Sequence, residues 1–147
     1  MKKLLLLFTL LFASYYVQSQ IVNIPDANFK NALVNTNCVD SDGDNQGDID
    51  VDTNNDGEIQ QTEAEAVVFL LDVHNQGIFS LEGIASFVNL KQLSCGNNAL
   101  TTLDLTSNSS LERLYCSFNS LTNIDVSQSP QLNLSLIHIS EPTRRTP

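Results

Sequence analysis

The chain has 147 residues, with 17 Asp and Glu against 7 Lys and Arg, a formal net charge of −10, 41% hydrophobic residues, three Cys and no Trp. Such acidity argues against a nucleic-acid binder, which needs clustered Lys and Arg on phosphates, and the apolar share excludes a wholly disordered chain. The length allows one domain with room for a small cap, and three cysteines are too few for a disulfide scaffold.

Met1, Lys2 and Lys3 precede an apolar run, Leu4 to Ala13. A basic start and a short apolar stretch predict a secretory signal peptide over residues 1–19, with Val17 and Ser19 as the small residues before the cleavage point. A membrane anchor is the alternative, but the run is short for a bilayer and no stop-transfer pattern follows. Residues 20–67 then read as an N-terminal cap. Pro25 to Val34 predicts a short amphipathic helix, with Pro25 in its first turn, Asp26 complementing its N-terminus, and Phe29, Ala32 and Leu33 on one face.

Charge concentrates beyond that helix. Between Lys30 and Lys91 there is no Lys or Arg, and ten acids lie between Asp40 and Glu65. That density repels itself unless cations neutralise it. Asp52-Thr-Asn54-Asn-Asp56-Gly57-Glu58-Ile59-Gln60-Gln-Thr-Glu63 resembles an EF-hand calcium loop. Asp52, Asn54 and Asp56 would supply side-chain oxygens, Glu58 its carbonyl, Gln60 a contact through water and Glu63 a bidentate carboxylate, with Gly57 at the sharp turn. Calcium suits such a set because a hard cation takes six to eight oxygens. The expected cofactor is therefore structural Ca2+. Upstream, Asp40, Asp42, Asp44 and Asp48 alternate along the chain and resemble the Asp-rich loops of thrombospondin type 3 repeats. They are a weaker second candidate site, with a solvated acidic linker as the alternative. Thr62 to Ala66 predicts a short helix leading out of the loop.

A repeat follows over residues 68–133. Leu90, Leu93, Cys95, Asn98, Leu100, Leu103 and Leu105 recur 21 residues later as Leu111, Leu114, Cys116, Asn119, Leu121, Ile124 and Val126, and Leu132 opens another unit. The units are 68–89, 90–110 and 111–131, with a fourth starting at 132. The pattern resembles the leucine-rich repeat. The first unit is degenerate, with Gln76 where the Asn should stand, and its Leu81-Glu-Gly-Ile84 segment looks like an internalin-type first repeat. The resemblance implies an α/β solenoid with short parallel strands closed by the small helical, EF-hand-like cap. Each unit buries its apolar residues only against its neighbours. Asn98 and Asn119 are expected to satisfy loop backbone groups. Cys95 and Cys116 fall at an inward position and read as small buried hydrophobes, with a disulfide or a metal as the alternative; a partner for Cys38 cannot be read.

Three outward columns form a prospective concave face: Leu70, Gln92 and Arg113; Asp72, Ser94 and Tyr115; His74, Gly96 and Ser117. Arg113 and Tyr115, with Gln92, are the candidate binding residues, because Arg and Tyr are frequent hot-spot types. An ordinary solvated face is the alternative. Residues 134–147 break every preceding pattern. Leu134 to Arg144 is similar to a translated transposase-type sequencing adapter, so the segment is expected to be foreign and the gene truncated near Asn133.

The order of these segments resembles secreted leucine-rich repeat proteins of Bacteroidetes-type bacteria. That resemblance implies an exported protein-binding or adhesion module, secreted or at the bacterial cell surface, with a protein or surface glycan as partner. It implies no nucleic acid and no membrane span after signal cleavage. No nucleophile–base set is present, so no enzymatic activity is expected. The second reading is an accessory repeat region of a larger secreted hydrolase, and the third a structural surface-layer component.

Overall fold

The computed structural model describes residues 20–122, 124 and 126–136. The expected signal peptide, and the expected adapter segment beyond residue 136, lie outside the described residues. Helix α1 runs Ala27–Asn35, with Asp26 as its N-cap: the Asp26 carboxylate accepts from the N–H groups of Asn28 and Phe29. Pro25, expected inside the first turn, therefore lies just outside it. Phe29, Ala32 and Leu33 are fully buried and join one hydrophobic cluster with Leu71, Ile78 and Phe87 of the first repeat. The face read from the sequence is the face that seals the end of the repeats. Helix α2 spans Gln61–Ala66, and Glu63 bonds back to the Gln60 N–H at its start.

Strands β1 (Val39–Asp40), β2 (Leu70–Asp72), β3 (Gln92–Ser94), β4 (Arg113–Tyr115) and β5 (Asn133–Leu136) form one small open sheet in chain order. It is mixed: β1 is antiparallel to β2, and the rest are parallel. The registers Leu70–Gln92–Arg113, Leu71–Leu93–Leu114 and Asp72–Ser94–Tyr115 reproduce the repeat offsets of 22 and 21. Leucine-rich repeat geometry is thus present from β2 to β4, as a small open sheet with few helices. The β4–β5 pairing slips, setting Arg113 against Asn133 and Tyr115 against Leu136. The boundary expected at residues 133/134 falls inside β5.

Inward positions behave as the period requires. Leu71, Leu93 and Leu114 are fully buried, as are Val73, Cys95 and Cys116 two residues on. Burying each Leu contributes about 1.5–3 kcal/mol. All three cysteines are free thiols. Burial pushes the Cys38 thiol up to about 12 and the Cys116 thiol up to about 11, and lifts that of Cys95 further. Such thiols pack as inert small hydrophobes.

The turns after the strands are closed by asparagines. Asn98 Oδ1 accepts from the N–H groups of Gln76 and Ile78, and its Nδ2 donates to the carbonyls of Val73 and Cys95. One unit on, Asn119 accepts from Leu100 N–H and donates to the carbonyls of Cys95 and Cys116. Each amide thereby ties its own turn to the preceding one. A second column recurs on the opposite side. Asn108, fully buried, donates to the carbonyls of Ile84 and Phe87, and Ser129, 21 residues later, donates to Asn108 O. Asn75, Asn97 and Phe118 also share a repeat position and all have positive φ. That backbone region is mild for Asn and costs Phe118 about 1 kcal/mol or more.

Candidate metal centre and binding face

The Asp52–Glu63 segment is a curled loop that leads into α2. Asn55 and Gly57 have positive φ, which lets the chain curl around its own oxygens. Asp52, 2% exposed, accepts from Asp56 N–H and Gly57 N–H. Asn54 Oδ1 also accepts from Asp56 N–H. The twelfth residue, Glu63, folds back to accept from Thr53 Oγ1 and Asn54 N–H. Gln60 does not stand off the loop. Its Nε2 donates to both Asp56 oxygens, at 3.2 and 2.9 Å, and its Oε1 accepts from Asn54 Nδ2 at 2.6 Å. The Glu58 N–H first, then the Gln60 amide, hold the Asp56 carboxyl below its ordinary value. Asn54, Asp56, Gln60 and Glu63 line a shallow depression with Ile21, Thr53 and Thr62. Lys30 Nζ reaches Glu58 at 2.6 Å, tying α1 to the loop. Ile59 is fully buried and its carbonyl accepts from Val22 N–H, so the strand position that paired EF-hands use between loops is used here against the N-terminal segment.

The upstream loop is built differently. Val39 exchanges hydrogen bonds with Ile49, closing the run between them. Asp40, 2% exposed, accepts from the N–H groups of Asp42, Gly43 and Asn45. Burial pushes its carboxyl up, but those bonds outweigh it and hold it below the ordinary range. Among the described residues, Asp40, Asp42 and Asp44 are the one group of three acidic, His or Cys side chains whose ligand atoms lie within 4.8 Å of one another. Oxygens facing each other across a calcium ion stand about 5 Å apart, so this spacing suits calcium and supplies three of the six to eight oxygens it takes. Asp48 is not in that group; it accepts from Ser41 N–H and Ser41 Oγ. The two loops differ: Asp52–Glu63 curls around the Asp52 carboxylate, and Asp40–Asp44 brings three carboxylates together.

On the sheet, Gln92, Ser94 and Tyr115 are half-buried and Arg113 is exposed, all pointing away from the core. Arg113 Nη1 donates to Gln92 Oε1 at 3.1 Å, so two of the three candidate binding residues are in contact. Leu70, placed outward from its column, is 4% exposed. It stands opposite Asp40 of β1, so the cap covers this end of the face. His74 remains exposed beside Asp72, with Nδ1 2.8 Å from Oδ1.

Two structural residues were not legible as such. Asp26 caps α1 with one oxygen and accepts from Phe79 N–H and Ser80 N–H with the other. In the degenerate unit, where Gln76 replaces the Asn, this carboxylate and Asn28, which donates to Gly77 O, fasten the turn. Burial raises the Asp26 carboxyl, yet its four backbone N–H bonds bring it below the ordinary value. The Asn108–Ser129 column had a signal, small polar residues 21 apart, but no apolar pattern to draw attention to it.

No protein-family model matches the sequence, and no curated protein does. Among solved structures, the chain is similar to the functional domain of InlJ from Listeria monocytogenes, which includes a cysteine ladder. The identity is 31%, the TM-score 0.58, and the likeness covers 78% of this chain and 23% of that one. Slighter likenesses are to the CBM51-2 and INT domains of Clostridium perfringens ZmpB, with 20% identity, TM-score 0.47, and 66% of this chain on 17% of that one. Internalin C2 of Listeria monocytogenes gives 20% identity, TM-score 0.38, and 78% on 66%. Neither of these two carries weight here. The fold is of the internalin-like leucine-rich repeat type, and the chain spans under a quarter of the InlJ structure's length. Among the described residues no helix is long and apolar enough to cross a membrane.

Proposed function

We propose that this chain is an exported binding module of leucine-rich repeat type acting at or beyond the bacterial surface. Its repeats form the first units of a solenoid, its outward sheet face engages a protein or surface glycan, and structural calcium ties down its acidic cap. The observation that carries this reading is the register of Gln92 with Arg113 and of Ser94 with Tyr115. Two strands present chemistry-bearing side chains in aligned columns on a face the core does not need. The InlJ likeness supports the same reading. Calcium is supported by the convergence of Asp40, Asp42 and Asp44 and by the EF-like path of Asp52–Glu63. Its part would be to neutralise carboxylates that, apart from Glu58 on Lys30, are otherwise balanced only by neutral donors.

The test is an array of extracellular-matrix proteins and cell-surface glycans probed with the full chain. Binding that Tyr115→Ala and Gln92→Ala each weaken about tenfold, with unchanged melting temperature, is the expected result. A blank array, or binding that neither substitution weakens, would overturn the assignment of the face.

A further inference from the structure

Where the acidic loop meets the outward face there is a pocket of about 270 Å³. Its wall is made by Asp40, Gly43 and Asn45 of the acidic segment, Phe69 just before β2, Lys91 and Gln92 at the head of β3, and Glu112 and Arg113 at the head of β4. Phe69 is 42% exposed, although the next residue, Leu70, is buried. The ring cannot be tucked away cheaply, because the Phe69 carbonyl accepts from Gln92 N–H and the Val68 carbonyl from Lys91 N–H. An aromatic side chain is therefore held open beside polar groups.

The chain's few cations gather at this place, facing the acids Asp40 and Glu112. Residues 20–133 contain 16 acids and three cations, and two of those cations, Lys91 and Arg113, line this pocket. The neighbouring Asp40 carboxylate is taken up by three backbone N–H groups. Lys91 stands 3.9 Å from Glu112, a loose pair. Arg113 gives one N–H to Gln92, and among the described residues its remaining guanidinium donors meet no protein acceptor. A guanidinium with open donors suits a carboxylate. Asn45, Gln92 and Glu112 add oxygens beside those donors, so the complementary ligand must donate as well as accept. Sugar hydroxyls do both, and the apolar face of a pyranose suits an exposed aromatic ring. An acidic peptide side chain offers the carboxylate but no hydroxyl donors. The volume falls below the roughly 300–1,000 Å³ of drug-sized sites, the scale of one sugar unit.

We propose that this pocket binds a single carboxylate-bearing sugar, a uronic or sialic acid residue of a glycan. The carboxylate lies on Arg113 and Lys91, the hydroxyls on Gln92, Asn45 and Glu112, and the ring face on Phe69. The proposal rests on the binding-module reading and narrows its ligand class. The full chain is titrated with glucuronic acid and with N-acetylneuraminic acid while saturation-transfer NMR is recorded. Galactose and a Glu-rich peptide are the comparison ligands. Saturation transfer to the ring protons of one or both acids is expected, with Kd on the order of millimolar. Which acid responds tells the two sources apart. Arg113→Gln and Phe69→Ala, both at solvent-facing positions, each weaken that binding about tenfold or more, with the melting temperature of each variant checked alongside. No transfer to either acid, equal transfer to galactose, binding of the Glu-rich peptide instead, or folded variants that bind unchanged would overturn the proposal. If the array still shows Tyr115-dependent protein binding, only the sugar assignment falls; if both are blank, the binding-module reading falls with it.

Discussion

The cap and the repeats solve the same problem with different side chains. Residues 20–67 carry 11 acids and one cation, whereas residues 68–133 carry five acids and two cations. Both regions contain tight turns whose N–H groups need acceptors. In the repeats the acceptors are neutral amides, Asn98 and Asn119, whose other end donates to carbonyls of two turns at once. In the cap they are carboxylates, Asp26, Asp40 and Asp52, which accept and give nothing back. An amide closes a turn and leaves no charge. A carboxylate closes it with a stronger bond and leaves a negative charge beside others of the same sign. The repeats close these turns without adding charge, whereas the cap gathers it, and that is where the proposed cation would act.

The comparison can be broken first at the leucine column. Leu93→Ala should destabilise the chain by about 2–5 kcal/mol in urea unfolding, because a fully buried side chain at the middle of β3 is replaced by a cavity. A loss below 1 kcal/mol would mean that the repeats are not held by their apolar columns. Asn98→Ala should cost about 3 kcal/mol, since two N–H groups and at least two carbonyls lose a common partner. The effect should be the same with calcium or EDTA. A calcium-dependent loss would erase the distinction between the two regions.

The cap should respond in the opposite way. With site affinities of 10⁻⁴–10⁻³ M, 10 mM calcium should add about 1.4–2.7 kcal/mol of stability, read as a rise of several degrees in melting temperature. Asp42→Asn with Asp44→Asn should remove much of that rise. A melting temperature indifferent to calcium would remove the ion from the cap.

The smallest effect concerns Asp26, whose folded value is lowered. Its stabilising contribution is present above the ordinary carboxylate value and is lost as pH falls through the folded one. Asp26→Asn should therefore cost about 1 kcal/mol at pH 7 and nothing further near pH 2, as measured by urea unfolding at both values. An equal difference at both values would show that the charge on this oxygen pair is idle.

Much of the repeat fold was legible because a period of 21 or 22 residues fixes which side chains stack, and stacking leaves little else to decide. The columns through Leu93, Ser94 and Cys95 are found where that spacing puts them. In the Asp52–Glu63 loop the sharp turn at Gly57 was legible, because its φ of 81° suits glycine. Leu70 was not: its column points outward, and only the antiparallel return of β1 buries it. The pocket at Phe69 was hidden for another reason: Phe69, Lys91 and Glu112 share one repeat position, but only the fold sets the Asp40–Asn45 loop against them. Asp26 was read as a helix residue alone, because its second oxygen meets residues more than 50 positions away.

By itself the sequence determined the repeat register, the inward and outward alternation, and the concentration of carboxylates in the cap. These are local or periodic properties, set by spacing along the chain. The tertiary structure alone decided that β1 runs against the sheet, that Asp26 also fastens the Phe79–Ser80 turn, and that three acids converge at Asp40–Asp44 rather than around Glu63. It also set the Asp40–Asn45 loop against the two cations and the aromatic ring that the period aligns. Those features depend on where non-repeating segments meet repeating ones, and such meetings are fixed by packing of the α1 face on the first unit, not by any interval in the sequence.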